Sequence, residues 1–325
     1  MDMNKVVILI RIWLIMSTLM IATPQVYAVC GAPDGNSLTT DDLDWIDGFG
    51  YVLCDGRGFL WKGPMNKQRL EIPERVTKNG KTYVVEELCP CVFLEYDYVN
   101  GVPTNPMIRE VFLPKSIKKI DSYAFQGQKK LNSVVMPESV RKIGRSAFRK
   151  CESLESIALP GAIEMIDDDT FSWCINLKSI YIPANVKEIG ESAFSGCENL
   201  VDITLPEGIK KIKKWTFNWC KSLKCIVIPS TVKRICGWAF HGCTNLERVI
   251  FMNPETMIHP EAFDDNDVIE LVNWNGKIDI EQKIRGVYLV GGAHWIMDNF
   301  SASKHFGSDL EAEKHFIREY DEKRD

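Results

Sequence analysis

The sequence predicts a mainly β fold: a solenoid of 23-residue coils with short strands and tight turns, capped at both ends. Two observations carry this prediction. The first is a pattern that recurs without insertion or deletion from Ile108 to Asn245, with Leu131, Leu154, Leu177, Leu200 and Leu223 each opening a copy and a decayed copy beginning at Leu246. The second is a set of columns that hold their register down the chain. Phe125, Phe148, Phe171, Phe194, Phe217, Phe240 and Phe263 form one, Ile120 through Ile258 at the same spacing another, and Pro114 through Pro229 a third.

Each element of a coil follows from its residues. In the copy from Leu177 to Asn199, Leu177, Ile180 and Ile182 open a period-two run, the mark of a short half-buried strand. Pro183 ends that strand because it has no N–H to give. Val186-Lys187-Glu188-Ile189-Gly190 makes a second extended piece, and Ser192 to Cys197 a tight turn that carries Phe194 inward. Each large buried side chain contributes roughly 1.5–3 kcal/mol, whereas ordering a residue's backbone costs roughly 1–2 kcal/mol. One copy alone is therefore unstable, and stability must come from stacking coils at about 4.8 Å.

The motif Leu-x-x-Ile-x-Ile-Pro followed by Val-x-x-Ile-Gly-x-x-Ala-Phe-x-x-Cys resembles the BspA-type bacterial leucine-rich repeat, from Leu70 to about Phe263. The resemblance implies a leucine-rich-repeat solenoid of an exported or cell-surface protein. Loosely, it implies adhesion or protein binding, and it brings no catalytic residues.

Along the chain, residues 1–28 read as a signal peptide: Lys5, an apolar run from Val6 to Ile21 interrupted by Arg11, then Val26-Tyr27-Ala28. A retained anchor and lipidation at Cys30 are weaker alternatives, because Arg11 breaks the run and Val29 stands where a lipobox needs a small residue. Residues 29–69 form a leader and cap, with strand candidates at Gly50–Leu53 and Phe59–Trp61. An irregular first coil over 70–107 holds a hairpin signal at Lys78-Asn79-Gly80-Lys81. The solenoid proper covers 108–268, where Glu255, Asn266 and Met252 take the Val, Cys and Pro columns of the decaying copy. A C-terminal cap and charged tail fill 269–325, with short strands at Val268–Trp274 and Gly286–Leu289 and a helix start at Ser308-x-x-Glu311.

The net charge of the whole chain is −5, and loss of Lys5, Arg11 and Asp2 with the signal takes it to −6, which gives no general support to nucleic acid as a partner. Of eleven cysteines, Cys151, Cys174, Cys197, Cys220 and Cys243 are spaced by the repeat and form a column of free, buried thiols. The states of Cys30, Cys54, Cys89, Cys91, Cys225 and Cys236 stay open; Cys30 with Cys54 is one pairing, and Cys89-Pro90-Cys91 reads as a variant turn. The histidines are scattered, and Asp167-Asp168-Asp169 and Asp264-Asp265-Asn266-Asp267 do not match a calcium loop, so no catalytic, cofactor or metal site is expected.

Candidate binding residues are aromatic. Trp215 and Trp238 occupy equivalent places just before the inward Phe, while Trp173 and Trp219 stand two residues after it. Tyr181 is an outward residue of the first strand. Partial burial against adjacent turns accounts for such tryptophans as well as a binding patch does. The expected function is non-enzymatic: secreted or surface-exposed protein binding or adhesion, with carbohydrate capture on the tryptophans as the alternative.

Overall fold

The computed structural model describes residues 43–64, 66–93, 96–97, 102–103, 108–253, 256–259, 261–266, 269–273, 280–284 and 287–290. Among these there are strands and turns and no helix. The expected helix after Ser308, the signal segment and Glu255 lie outside the described residues.

Every coil contributes to two parallel ladders. First strands pair from Arg69–Glu71 through Glu110–Phe112 to Ser133–Val135, and again from Ser156–Ala158 through Ser179–Tyr181 to Asp202–Thr204. Further on, Cys225–Ile228 pairs Arg248–Phe251, which pairs Ile269–Asn273, and this in turn pairs Val287–Val290. Within the regular array partners differ by the repeat length, so Ile157 meets Ile180 and Ile180 meets Ile203. The central residue of each strand is buried and its neighbours exposed, the alternation that the period-two pattern requires. Second strands, two residues long, stack likewise: Lys119–Ile120 on Lys142–Ile143, Met165–Ile166 on Glu188–Ile189, and Lys211–Ile212 on Arg234–Ile235.

The N-terminal end is built from β1 (Asp44–Ile46), β2 (Phe49–Cys54) and β3 (Arg57–Lys62), an antiparallel meander whose last strand joins the second-strand ladder. It does so by pairing parallel to β6 (Lys81–Leu88), after β4 (Arg69–Glu71) and β5 (Arg75–Lys78). Asn79 and Gly80 both adopt positive φ and close the two-residue hairpin between β5 and β6.

The core is a stack of rings. From Phe93 through Phe125, Phe148, Phe171, Phe194, Phe217 and Phe240 to Phe263, neighbouring centroids lie 5.0–5.7 Å apart at interplanar angles of 2–17°. Phe93 extends the column one coil beyond the regular array, placing Cys89-Pro90-Cys91 in the turn as the sequence predicts. The glycine after the isoleucine column has a steric cause. A Cβ at Gly190 would stand 2.4 Å from the Asp168 nitrogen, and one at Gly144 2.6 Å from that of Ser122.

The cysteine column is free and fully buried, and it does more than fill space. Each thiol donates to the phenylalanine carbonyl of the preceding coil: Cys151 to Phe125, Cys174 to Phe148, Cys197 to Phe171, Cys220 to Phe194 and Cys243 to Phe217, at 3.0–3.3 Å. At the ends of the column Gln128 donates its amide to the Phe93 carbonyl and Asn266 to that of Phe240. Burial pushes Cys174 and Cys243 up to about 12, so the column stays protonated. Two states that the sequence leaves open are resolved: Cys54, on β2, forms no disulfide, which removes the pairing with Cys30, and Cys91 is the described cysteine that is disulfide-bonded. In the decaying coil Thr256 is buried and its hydroxyl donates to the Val232 carbonyl.

Candidate functional site

The turn edge of the solenoid is held by hydrogen bonds that run from coil to coil. In one turn the N–H groups of Ser146, Phe148 and Lys150 donate to the carbonyls of Asp168, Thr170 and Ser172 in the next coil. The bonds from Phe194 to Thr216 and from Gly196 to Asn218 repeat two of these further on. This geometry puts two residues of each turn into the left-handed region. The first position holds Cys91, Tyr123, Ser146, Asp169, Ser192, Trp215 and Trp238; the second holds Gly127, Lys150, Trp173, Gly196, Trp219, Gly242 and Asp265. Glycine is at ease there, whereas an L-residue costs roughly 1–2 kcal/mol and a bulky one is an outlier.

Four of these strained positions carry tryptophan, and the rings form two pairs. Trp215 and Trp238 are parallel, with centroids 5.7 Å apart and an interplanar angle of 4°. Trp173 and Trp219, two coils apart, meet edge to face at 6.1 Å and 61°. The intervening residue of that column is Gly196, and a Cβ there would stand 2.8 Å from the Trp173 ring. Gly242 stands in the same relation to Trp219, at 2.7 Å. Tryptophan and glycine thus alternate in the second position, each ring lying across the glycine of the next coil. Trp215 and Trp219 are 38% and 40% exposed, and Trp173 and Trp238 are half-buried. Lys221 places its ammonium 5.3 Å from the Trp219 ring centroid, a cation–π contact.

Tyr181 belongs to another surface. It stands on the first-strand ladder between Ala158 and Thr204, whose small side chains leave it 70% exposed. Val135 and Val227 are exposed at the equivalent place on the first strands of other coils. The structure therefore brings the four tryptophans to one edge and leaves Tyr181 apart from them.

The acidic runs are engaged in the fold. Asp167 and Asp168 accept the backbone N–H groups of Asp168 and Glu191, and Asp169 lies 3.6 Å from Arg145. Burial raises the Asp169 carboxyl above its usual range. His241 lies 3.6 Å from Asp265, and His259 accepts the Glu261 N–H. Among the described residues no group of three or more His, Cys, Asp and Glu side chains gathers as a metal site.

A stack of short parallel strands with a leucine at the head of each coil defines the class, a leucine-rich-repeat solenoid. The profile of the BspA type leucine rich repeat region matches residues 104–191 and 164–284 in six copies, more than half of the chain, and the chain belongs to that family. It is similar to a solved leucine rich repeat protein of T. pallidum, with 28% identity and a TM-score of 0.53 over 63% of this chain and 90% of that one. A leucine-rich repeat protein of Bacteroides ovatus is 22% identical with a TM-score of 0.44, covering 71% of each chain. No curated protein matches the sequence. Repeats of this class are generally non-enzymatic and suggest a protein-interaction role at the cell surface or outside it.

Proposed function

We propose that this chain is an exported, non-enzymatic binding protein that holds another protein on its turn edge, at the cell surface or secreted, as an adhesin does. One observation carries the reading: tryptophan occupies four left-handed positions, although other coils build the same turn with residues such as Ser146, Ser192, Gly196 and Gly242. The fold does not need an indole there. Tryptophan is the side chain that most often dominates an interface, because it buries a large area and keeps an N–H for the partner.

The test replaces the exposed pair by the residue the backbone prefers. Trp215→Gly with Trp238→Gly relieves two strained positions while removing the rings, so the melting temperature is expected to stay close to that of the parent. Capture of extracellular proteins on the immobilised chain should weaken by about 2 kcal/mol or more, roughly thirty-fold. A variant that loses its melting temperature and keeps its affinity would make these rings packing contacts and move attention to the Tyr181 face. Retention on a glycan array, lost in the variant and without protein capture, would favour carbohydrate instead.

A further inference from the structure

Beside the tryptophan pair lies a charge pattern that the net charge of −5 conceals. In the coils opened by Leu177, Leu200 and Leu223, the residue just before each second strand is Lys187, Lys210 and Lys233, all exposed. Next to it Lys211 stands directly opposite Arg234 in the parallel ladder. Lys213 and Lys214 follow, immediately before Trp215.

Elsewhere the array sets opposite charges one coil apart. Lys178 meets Glu155 at 2.7 Å, Lys221 meets Glu198 at 2.9 Å, Lys129 meets Glu152 at 2.9 Å and Lys118 meets Glu86 at 2.6 Å. Lys119, opposite Lys142, is neutralised by Glu87 and Asp121. In the cationic coils Glu188 is taken by Lys213, and Lys187, Lys210, Lys211, Lys214 and Lys233 form no ion pair with a described residue. Like charges stacked at about 4.8 Å oppose folding, and an anionic partner would relieve them. Glu164 and Asp167 to Asp169 in the preceding coil bound the patch on that side.

We propose that this cationic face docks an acidic, extended segment of the protein partner, with an apolar side chain of that segment set against Trp215 and Trp238. The ring geometry favours a peptide over a sugar polymer. Parallel stacking hides one face of Trp215 and one of Trp238, which halves the ring face open to a sugar. Exposed lysines act as point charges that attract carboxylates over a Debye length and set the salt dependence of association. The inference rests on the protein-binding reading above and adds the chemistry of the partner.

The probe is a short fluorescein-labelled Glu-rich peptide carrying one leucine, titrated into the chain at low and physiological salt. Binding should weaken with salt and fall by about ten-fold or more in Lys187→Gln/Lys210→Gln/Lys233→Gln, since several contacts of modest individual weight are removed together. That variant also loses like-charge stacking, so its melting temperature should hold or rise, while Lys178→Gln should bind as the parent does. A chain that refuses the peptide, or a triple variant that holds it equally well, overturns the proposal. Heparin bound where the peptide is refused would assign the face to an anionic polysaccharide. Should the tryptophan variant lose protein capture while the lysine variant changes nothing, the proposed function stands and this inference falls.

Discussion

Gly190→Ala tests how tightly the coils are stacked. The glycine is not in the left-handed region, so any cost of a methyl group comes from the neighbouring coil and not from its own backbone. That methyl would lie 2.4 Å from the Asp168 nitrogen, 2.6 Å from the Asp167 carbonyl carbon and 2.6 Å from the Asp168 Cα, all backbone atoms that cannot rotate away. Ordinary contact needs about 1 Å more, and gaining it would push the two coils apart where Gly190 N–H donates to the Ile166 carbonyl at 2.8 Å and Glu191 N–H to the Asp168 carboxylate at 2.7 Å. Overpacking typically costs about 1–3 kcal/mol and a weakened hydrogen bond about 1 kcal/mol, so the loss should be about 2–4 kcal/mol. Urea unfolding with an unchanged slope would measure it. Gly161→Ala is the control, because the nearest atom to its new Cβ is the tip of Glu138 at 3.8 Å; it should be neutral or stabilising by about 0.4–1 kcal/mol. If the two variants unfold at the same urea concentration, the inter-coil contact assigned to Gly190 is wrong.

Phe194→Ala should cost about 3–5 kcal/mol, because the ring is fully buried between Phe171 and Phe217 at 5.7 Å on each side and neither coil can move in; a loss below about 1 kcal/mol would contradict this packing. Thiol titration should leave Cys151, Cys174, Cys197, Cys220 and Cys243 unreacted in the native chain and expose them on denaturation without reductant. Their folded pKa values lie above the unfolded ones, so the unfolded chain releases these protons first. Stability should therefore decline as pH rises above the ordinary thiol value of 9.0 toward about 12, and a flat alkaline profile would count against buried thiols. Cys197→Ala should lose more stability than Cys197→Ser retains in donor strength, with the serine variant the more stable of the two if the bond to the Phe171 carbonyl matters.

The strands, the phenylalanine stack and the position of the thiols were legible because a fixed period forces like residues into one column. What the thiols do was not, since a buried cysteine reads as a small hydrophobe. The available signal was at the ends of the column, where Gln128 and Asn266 replace it with two stronger donors. The left-handed turn positions were hidden for a related reason: Tyr123, Lys150 and Trp215 are not residues that announce positive φ. Gly127, Gly196 and Gly242, recurring at multiples of the repeat, were the trace of it. The pairing of Trp215 with Trp238 followed from their equivalent places, but the pairing of Trp173 with Trp219 needed the glycine between them, which only the geometry reveals. The disulfide at Cys91 had no periodic partner from which to be read. The cationic face escaped notice because whole-chain charge averages it against acids in other coils.

A repeat array carries its own controls, and this gives the departures from its pattern their meaning. When a residue at one height differs from its counterparts one coil away, both meet nearly the same backbone, so the difference in cost is a property of the side chain. Trp219 and Gly242 share a backbone conformation, as do Trp173 and Gly196, and the glycine is the less strained member each time. Lys210 and Glu164 share the place just before the second strand, yet Lys210 is flanked by Lys187 and Lys233 where an acid would be attracted to both. The tryptophans fall between the coils opened by Leu154 and Leu223 and the stacked lysines between those opened by Leu177 and Leu223, whereas non-glycine residues with positive φ run along the array from Tyr123 to Asp265. Positive φ at a non-glycine residue is a property of the turn throughout, and the size of the side chain is what changes near Trp215. An indole or an unopposed lysine there costs the free chain something that contact with a partner would return, which is why the tryptophan and lysine variants are expected to hold their melting temperatures while losing affinity.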